Sequence, residues 1–324
     1  MVPQPDISLA VSTRWNAFRH PTGEAIIEEI LGLGVDRVEL GFDLTVSQAE
    51  GVRRMVEQKA VRVDSVHNFC PMPMGVLRAS PEVWLPASPD PRERNAAVRH
   101  TTNTIQFAAS LGASCVVVHA GYVRIRPDTH KLIDFLSSWW HTPERYERRK
   151  RKIIARREEA AFDCVENLTH SLDELAPIAG AAGIRLGIEL LPTWESIPTE
   201  AEAEALMRRY PGGEIVYWHD IGHGQTRENL GFGSHRAGLR RLEPWLAGIH
   251  VHDVQPPATD HLPPGQGSVD FRLFKDAFRP GVLAVLEPAP GTTVEHLRDG
   301  LAFIRDAWGL PARSASTATG KPTT

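Results

Sequence analysis

One pattern constrains the fold of this chain more than any other: a short apolar run that ends abruptly in a carboxylate or an imidazole. It is clearest at residues 216–225, where the run stops in Asp220 and His223 follows between two glycines. Four more runs end in the same chemistry, at residues 115–121, 186–189, 248–253 and 282–287. A single histidine at a strand end is more often structural than a ligand. Five endings of one chemical kind indicate strands whose carboxyl ends form a site.

Apolar runs and helical patterns alternate along the chain. Strands are predicted at residues 6–13, 37–42, 61–70, 115–121, 185–192, 214–220, 246–254 and 282–287. Helices are predicted at residues 21–32, 47–59, 91–111, 144–180, 199–210, 235–241, 271–278 and 294–308, with Ser47 as the cap of the second. Because no repeat or linker divides this series, it predicts a single-domain α/β fold, the (β/α)8 TIM barrel, over residues 1–310. Residues 311–324, rich in Ser, Thr and Ala, are expected to form a disordered tail.

Two long segments without a clear period follow the third and fourth predicted strands. Residues 71–91 are rich in proline and include methionine, leucine and tryptophan, and residues 124–141 include Trp139 and Trp140. Loops of this length are uncommon in a compact domain unless they cover or line a site. We expect both segments to be irregular and to form an apolar wall for a substrate larger than a free pentose or hexose. A glycine-rich turn is expected after Asp220.

The start of the predicted helix at 144–180 is strongly charged. Residues 144–159 contain eight Arg or Lys and four Glu. A solvated helix face is the favoured interpretation of such a run. The alternative is an anchor for a phosphate-bearing substrate.

Composition argues against several functional classes. A formal net charge of −4 and a pI near 6.4 argue against a dedicated nucleic-acid binder, which would usually be basic. The three cysteines, Cys70, Cys115 and Cys164, form no CxxC pair, so neither a disulfide framework nor a zinc knuckle is indicated. The N-terminus lacks a secretory pattern, and no apolar run approaches the roughly 20 residues that span a bilayer. We expect a cytoplasmic protein that does not enter a membrane; the sequence is compatible with a homo-oligomer.

The polar strand ends predict a metal site. Side chains alternate along a strand, so Glu189, Asp220 and Glu287 can all point toward the barrel axis. Together with His250 they provide three carboxylates and one imidazole, an oxygen-rich set suited to Mn²⁺, Mg²⁺ or Co²⁺ and acceptable to Zn²⁺ or Fe²⁺. Several buried carboxylates without a cation would repel one another, which disfavours a purely structural role.

A family resemblance rests on the same strand ends together with the loop at residues 260–267. The chain resembles the xylose isomerase-like TIM-barrel superfamily over residues 6–308, through Glu189, Asp220, His223, His250, Asp253, Asp260, Gly267, Asp270, Glu287 and Pro288. That superfamily includes sugar-phosphate isomerases and epimerases and the endonuclease IV type.

The epimerase branch of the superfamily implies one divalent ion on Glu189, Asp220, His250 and Glu287. The two glutamates would then exchange a proton with the substrate carbon next to a polarised carbonyl. The resemblance also implies that His223 contacts a substrate oxygen and that Glu39 orients a hydroxyl.

The endonuclease branch implies a three-metal cluster with further ligands. Their counterparts would be His67, His119, His223, Asp260 and His261, with His252 a further candidate. The nuclease pattern separates its Asp and His by one residue, whereas Asp260 and His261 are adjacent, which disfavours the third ion. His67 and His119 could equally hydrogen-bond a substrate.

Two enzymatic functions follow from these alternatives. The leading expectation is an isomerase or epimerase of a sugar, sugar phosphate or polyol, dependent on a divalent Mn, Zn, Co or Mg ion. The alternative is a metal-dependent phosphodiester hydrolase acting on a nucleotide-like or cobamide-like small molecule. A noncatalytic binding module is disfavoured, because the ligand set is complete. The expected partner is a small sugar-like molecule, not nucleic acid.

Overall fold

The computed structural model describes residues 7–140 and 142–311, so Asp6, His141 and the predicted tail beyond Pro311 lie outside the described residues. Eight parallel strands of the described chain close into a barrel in sequence order, with the last strand bonded to the first. They are β1 (Leu9–Ser12), β2 (Arg37–Leu40), β3 (Arg62–His67), β4 (Cys115–Val118), β5 (Arg185–Glu189), β6 (Ile215–Asp220), β7 (Leu246–Val251) and β8 (Leu283–Leu286). The predicted single-domain TIM barrel is confirmed.

Helices surround the barrel. They are α1 (Gly23–Leu31), α2 (Val46–Glu57), α3 (Pro91–Ser110), α4 (Thr129–Leu136), α5 (Pro143–Ala182), α6 (Glu200–Arg209), α7 (Ile221–Asn229), α8 (His235–Leu242) and α9 (Val294–Trp308). The predicted helix at 271–278 is a 3-10 helix, Phe271–Ala277. Among the described residues, none of these helices is long and apolar enough to cross a membrane.

The predicted cap of α2 is wrong by two residues. Thr45, not Ser47, caps the helix: its hydroxyl accepts a hydrogen bond from the backbone N–H of Gln48, and the Gln48 side chain accepts from the Thr45 N–H. The reciprocal pair requires a Thr and a Gln three positions apart, and that spacing starts at Thr45.

The glycine-rich turn expected after Asp220 is instead the helix α7. The Asp220 carboxylate caps it by accepting a hydrogen bond from the His223 N–H at 2.7 Å. Gly222 is needed for close packing: a Cβ there would lie 1.9 Å from a ring carbon of His252. The glycines therefore let α7 approach its neighbours and do not form a turn.

The segment predicted as irregular at residues 124–141 contains the helix α4. Leu132 and Phe135 of this helix are buried against Tyr146 and Ile153 of α5. Their separation of three residues places both on one face, and this packing stabilises a helix too short to be stable alone. The segment at 71–91 is irregular, as predicted.

Alternation along the strands builds two apolar layers. In β4, Val116 and Val118 belong to the large core shared with the surrounding helices, whereas Cys115 and Val117 belong to a separate cluster with Trp218. Trp218 is fully buried in this inner cluster. It fits because β5 and β7 carry glycine beside it: a Cβ on Gly248 would lie 2.2 Å from the indole ring. The indole thus fills the barrel directly beneath the polar strand ends.

Candidate metal centre and active site

Strand register brings the predicted polar residues together at one end of the barrel. Asp220 on β6 pairs with His250 on β7, and Val285 on β8 also pairs with His250, two residues before Glu287. Glu189 on β5 pairs with Trp218, two residues before Asp220. The offsets are two residues, an even number, so the four residues share one face of the sheet, as the alternation of side chains predicts, and they gather at the carboxyl end of the barrel.

His250 lies at the centre of the cluster. Its Nδ1 is 3.2 Å from Glu287 Oε2, 3.6 Å from Glu189 Oε1 and 3.6 Å from Asp220 Oδ2. These four residues are at most 5% exposed. The structure thus brings the three predicted carboxylate ligands around His250, the fourth predicted ligand, in two overlapping groups: Glu189, Asp220 and His250, and Glu39, His250 and Glu287.

The other ring nitrogen of His250 is held by Glu39. Nε2 lies 3.1 and 3.2 Å from the two Glu39 oxygens, and the Ser65 hydroxyl donates a hydrogen bond to Glu39 Oε2. A carboxylate on one imidazole nitrogen orients the ring and leaves the other nitrogen for an ion. Glu39 is fully buried and faces His250, so it is in a position to orient that ring.

The charges around His250 require a cation. Burial opposes a charged imidazole, but Glu287, Glu39 and Glu189 outweigh burial and raise the pKa of His250 well above its ordinary value. Among the described residues, His250 Nδ1 and Glu189 Oε2 are buried atoms without a hydrogen-bond partner. Buried polar atoms seldom remain unpaired in native proteins. A divalent ion would pair both, so the donor set fits the predicted metal.

His252 forms a hydrogen bond with Asp220. Its Nδ1 accepts a hydrogen bond from the backbone N–H of His261 at 2.9 Å, which places the ring proton on Nε2. Nε2 then donates to Asp220, 2.9 Å from Oδ1. Burial opposes ionisation of Asp220, but His223 and His252 outweigh it and hold its pKa well below the usual range. His252 therefore keeps Asp220 charged and oriented.

His67 and His119 form a second polar group around Glu189. Their Nε2 atoms lie 3.5 and 3.3 Å from Glu189 Oε2. His67 Nδ1 faces the Asn68 carbonyl at 3.1 Å, and His119 Nδ1 faces Glu82 Oε1 at 3.4 Å. With both Nδ1 protons directed at these acceptors, the two Nε2 lone pairs face a carboxylate oxygen. This arrangement also demands a proton or a cation.

His223 and His261 lie on the other side of Asp220. His223 Nδ1 is 3.2 Å from the Leu190 carbonyl and 3.1 Å from Glu189 Oε1, which leaves its Nε2 as an acceptor. The hairpin formed by Asp253–Gln255 and Thr259–Leu262 carries His261, whose ring centroid is 6.0 Å from that of His223. Asp260 is 39% exposed and 4.0 Å from His261, so it stands apart from the cluster.

A cavity of about 430 Å³ opens beside these groups. Its lining residues are Glu82, His119, Tyr122, Val123, Ile125, Pro127, His130, Leu191, Pro192, Thr193, Glu195, Ser196 and His223. The strands Gly121–Tyr122 and Ser196–Ile197, which pair with each other, form part of the wall. We call this cavity the mouth. His119 and His223 connect it to the polar cluster.

The apolar wall expected from the two insertions is only partly present. Ile125 and Pro127 of the second insertion line the mouth, but Trp139 and Trp140 do not: Trp139 is 95% exposed, and Trp140 packs edge-on against Phe135. The prediction for these tryptophans is wrong because the helix α4 carries them away from the barrel.

Glu82 was missed by the sequence reasoning. It lies in the proline-rich segment and contributes to the mouth, where it contacts His119. A hydrogen bond with His119 lowers the pKa of Glu82 and outweighs burial, which opposes its charge. Nothing in an aperiodic loop indicates which of its acids will reach the barrel.

Comparisons with known proteins agree with this architecture. Two uncharacterized proteins of Methanocaldococcus jannaschii are 21% and 23% identical to this chain over 184 and 188 residues. Each match covers 57% of this chain, and the matches cover 57% and 53% of the two relatives. The chain therefore spans little more than half the length of each relative. The Escherichia coli 3-keto-D-glucoside 4-epimerase YcjR superposes with a TM-score of 0.65 at 16% identity, covering 93% of this chain and 99% of the epimerase.

A second solved structure and a family model match the same barrel. The IOLI protein, whose structure contains a bound zinc atom, superposes with a TM-score of 0.62 at 13% identity, covering 93% of this chain and 96% of that protein. Identities this low show a shared fold and no more. The model of the xylose isomerase-like TIM barrel family matches residues 27–307, and with the closed barrel described above it shows that this chain belongs to that family.

Proposed function

We propose that this protein is a divalent-metal-dependent isomerase or epimerase of a sugar or a related polyol. The observation that carries the proposal is the position of His250 Nδ1, which faces carboxylate oxygens of Glu189, Asp220 and Glu287 while Glu39 holds the opposite nitrogen. Three carboxylates and one imidazole form a ligand set for an ion that favours oxygen donors.

The two glutamates are the proposed proton carriers. A divalent ion bound here would withdraw electrons from a sugar carbonyl and make the neighbouring C–H acidic. Glu189 and Glu287 come from β5 and β8, which are separated by two strands, so they approach the ion from different sides. One carboxylate removes the carbon-bound proton and the other returns a proton to the opposite face. His223, whose ring reaches the mouth, would hydrogen-bond a substrate hydroxyl.

The comparisons support this class of reaction without specifying the sugar. Structural neighbours include D-psicose 3-epimerase from Clostridium cellulolyticum H10 and L-ribulose 3-epimerase, in addition to the 3-keto-glucoside epimerase. All share the barrel at 16% identity or less. The mouth, at about 430 Å³, has room for a monosaccharide with a substituent.

Solvent deuterium tests the proposed proton transfer. The protein is loaded with Mn²⁺ and incubated in D₂O with psicose, tagatose, ribulose and a 3-keto-glucoside, and carbon-bound deuterium is measured by NMR. We expect deuterium at the carbon next to the carbonyl in at least one sugar, because the carboxylate that returns a proton takes it from solvent, which is D₂O in this experiment. A panel without exchange would contradict the proposed activity toward these sugars.

A metal-dependent phosphoester hydrolase is the second candidate, and the group around Glu189 is the observation that favours it. His67, His119 and Glu189 place three donor atoms within 4.8 Å of one another, which is sufficient for a second ion. Two adjacent ions can stabilise both the attacking and the leaving oxygen of a phosphoryl transfer.

A third ion is less well supported by the geometry. His223, His252 and His261 also form a group within 4.8 Å. His252, however, already accepts the His261 N–H on Nδ1 and faces Asp220 with Nε2, so an ion there would have to displace one of these contacts. Metal analysis decides between the candidates: one ion per chain supports the epimerase. Two ions, with solvent ¹⁸O entering phosphate during cleavage of bis(p-nitrophenyl) phosphate, would establish the hydrolase instead.

A further inference from the structure

A second cavity lies outside the barrel, between α4 and the basic part of α5. It has a volume of about 350 Å³. Its lining residues are Arg126, Asp128, Lys131, Leu132, Arg148, Arg149, Lys152, Ile153 and Arg156. Leu132 and Ile153 are buried and form part of the small apolar cluster that joins the two helices. We call this cavity the basic pocket: six cationic side chains and one acid line it beside two buried apolar residues.

The spacing of residues along α5 shows that the charged run has two faces. Positions 148, 149, 152, 153 and 156 follow the helical repeat and lie on one side of the helix, toward α4. Arg145 and Arg151, in the same run, do not line the cavity. The run is therefore more than a uniformly solvated surface.

Charge in the basic pocket is not balanced. Asp128 contacts three cations: Arg156 at 2.7 Å, Lys131 at 3.1 Å and Arg126 at 3.3 Å. Within the described part of the chain, neither Arg148 nor Lys152 has an acidic partner in this structure. Six positive charges face one negative charge, and at this spacing like charges repel.

One of the cations is already oriented. The guanidinium of Arg149 lies 4.7 Å from the ring centroid of Phe135 on α4. Stacking on an aromatic face restricts a guanidinium and keeps its N–H donors available at the edge of the plane. Less conformational entropy is then lost when an anion binds.

We propose that the basic pocket binds a small anion carrying two or more phosphate groups. Such a ligand would supply the negative charge that Asp128 alone does not, and guanidinium groups match phosphate in geometry. The cavity is of the size that holds small molecules. A net charge of −4 for the whole chain argues against a nucleic-acid surface, which would need a wider basic face.

The proposed site is separate from the mouth and independent of the proposed function. The two cavities share no lining residue, but the segment 125–132 lies between them. Ile125, Pro127 and His130 line the mouth, whereas Arg126 and Lys131 line the basic pocket. The proposal therefore concerns a ligand of the basic pocket itself, and its test uses no substrate of the mouth.

Calorimetric titration with inorganic pyrophosphate, at constant ionic strength and without added metal, tests the proposal. The test variant is the double substitution Arg148→Gln with Lys152→Gln. We expect saturable binding to the full chain and a roughly tenfold or greater loss in the variant, because a hydrogen bond to a charged group contributes about 1.5–3 kcal/mol. The matched control, Arg145→Gln with Arg151→Gln, removes the same charge from the same helix and should change the affinity by less than about twofold.

A third variant gives a change of opposite sign. Asp128→Asn removes the acid that competes for three of the cations, and its side chain makes no capping hydrogen bond to α4. Pyrophosphate should therefore bind more tightly to this variant. Equal losses in the test and control variants would show general attraction to a charged helix and overturn the site. Binding to phosphatidylglycerol vesicles without binding to pyrophosphate would also overturn it, in favour of a membrane surface.

Discussion

The strand-end site and the basic pocket concentrate charge in opposite ways. At the strand ends, carboxylates and imidazoles are almost fully buried and each charge faces an opposite one. In the basic pocket, the cations are largely exposed: the side chains of Arg156 and Arg126 are 53% and 70% accessible. Water can solvate the second set but not the first. A buried charge must be compensated by a neighbour or an ion, whereas an exposed charge need not be.

This difference predicts where substitutions will matter. Removing a strand-end group leaves its buried partner uncompensated, so activity, metal affinity or both should change strongly. Removing a cation of the basic pocket should affect only the binding of an anion. The helix α5 allows a direct comparison, because it carries one buried arginine, Arg157, next to the exposed Arg156.

The largest effect is expected for the two glutamates at His250. Glu287→Gln and Glu189→Gln keep an oxygen donor for the ion but remove the basic carboxylate. If these groups carry the proton, turnover should fall roughly 10²–10⁴-fold with much less change in substrate affinity. Steady-state kinetics on the sugar that exchanges deuterium provides the measurement, with Glu295→Gln on the exposed start of α9 as control. Turnover within a few-fold of wild type in both glutamine variants would exclude the paired-glutamate mechanism.

The second effect tests burial on a single helix. The Arg157 guanidinium is 3% exposed, makes two hydrogen bonds to Glu202 and donates to the Trp194 and Ser196 carbonyls. Arg157→Met should lower the free energy of unfolding by about 3 kcal/mol, the low end for a broken buried pair, because Glu202 keeps some contact with water.

The matched control for Arg157 is its neighbour. Arg156→Met removes an exposed ion pair with Asp128 and should change the free energy of unfolding by less than about 0.5 kcal/mol. Urea unfolding followed by tryptophan fluorescence measures both. Equal losses in the two variants would mean that burial does not distinguish these charges.

The strand-end site could be predicted from the sequence because it depends on the regular alternation of side chains along each strand. Side chains alternate along parallel strands, and the carboxyl ends of the strands meet at one end of a barrel. Glu189, Asp220, His250 and Glu287 are therefore expected to point toward the barrel axis, and the structure brings them together. The strand ends alone could not predict the contact between Glu39 and His250, which are 211 residues apart in the sequence. The contact forms because the closed barrel brings the strands β2 and β7 together across its interior.

The parts that sequence did not predict depend on packing between distant elements. Gly222 and Gly224 looked like turn residues because glycine is a poor helix former, but they lie against the rings of His252 and His235. Glu82 reaches His119 only through the path of an aperiodic loop. In the charged run, spacing alone could have separated the face toward α4 from the solvent face, but only the presence of α4 makes that face a cavity.

A smaller effect is expected from Glu39, the carboxylate that contacts His250 Nε2. Glu39→Gln keeps an acceptor for His250 Nε2 but removes the charge that raises the basicity of the ring. The affinity for Mn²⁺ or Zn²⁺ should fall roughly 10–100-fold, as for other groups that orient a metal-binding histidine. Equilibrium dialysis measures it, with the exposed acid variant Glu50→Gln on α2 as control. An unchanged affinity would mean that Glu39 has no influence on the proposed ion.

The last prediction separates the two regions by their response to pH. Without an ion, Glu287, Glu39 and Glu189 overcome burial and raise the pKa of His250, so its Nδ1 is protonated at neutral pH and an ion must displace that proton. Affinity for Mn²⁺ should therefore weaken as pH falls from 8 to 6, by roughly tenfold per unit if one proton is exchanged. Glu39→Gln lowers the pKa of His250 and should make this slope shallower. The residues that line the basic pocket include no histidine, so pyrophosphate binding there should follow only the protonation of pyrophosphate itself. A Mn²⁺ affinity independent of pH would show that no proton leaves His250 and would remove this distinction between the two regions.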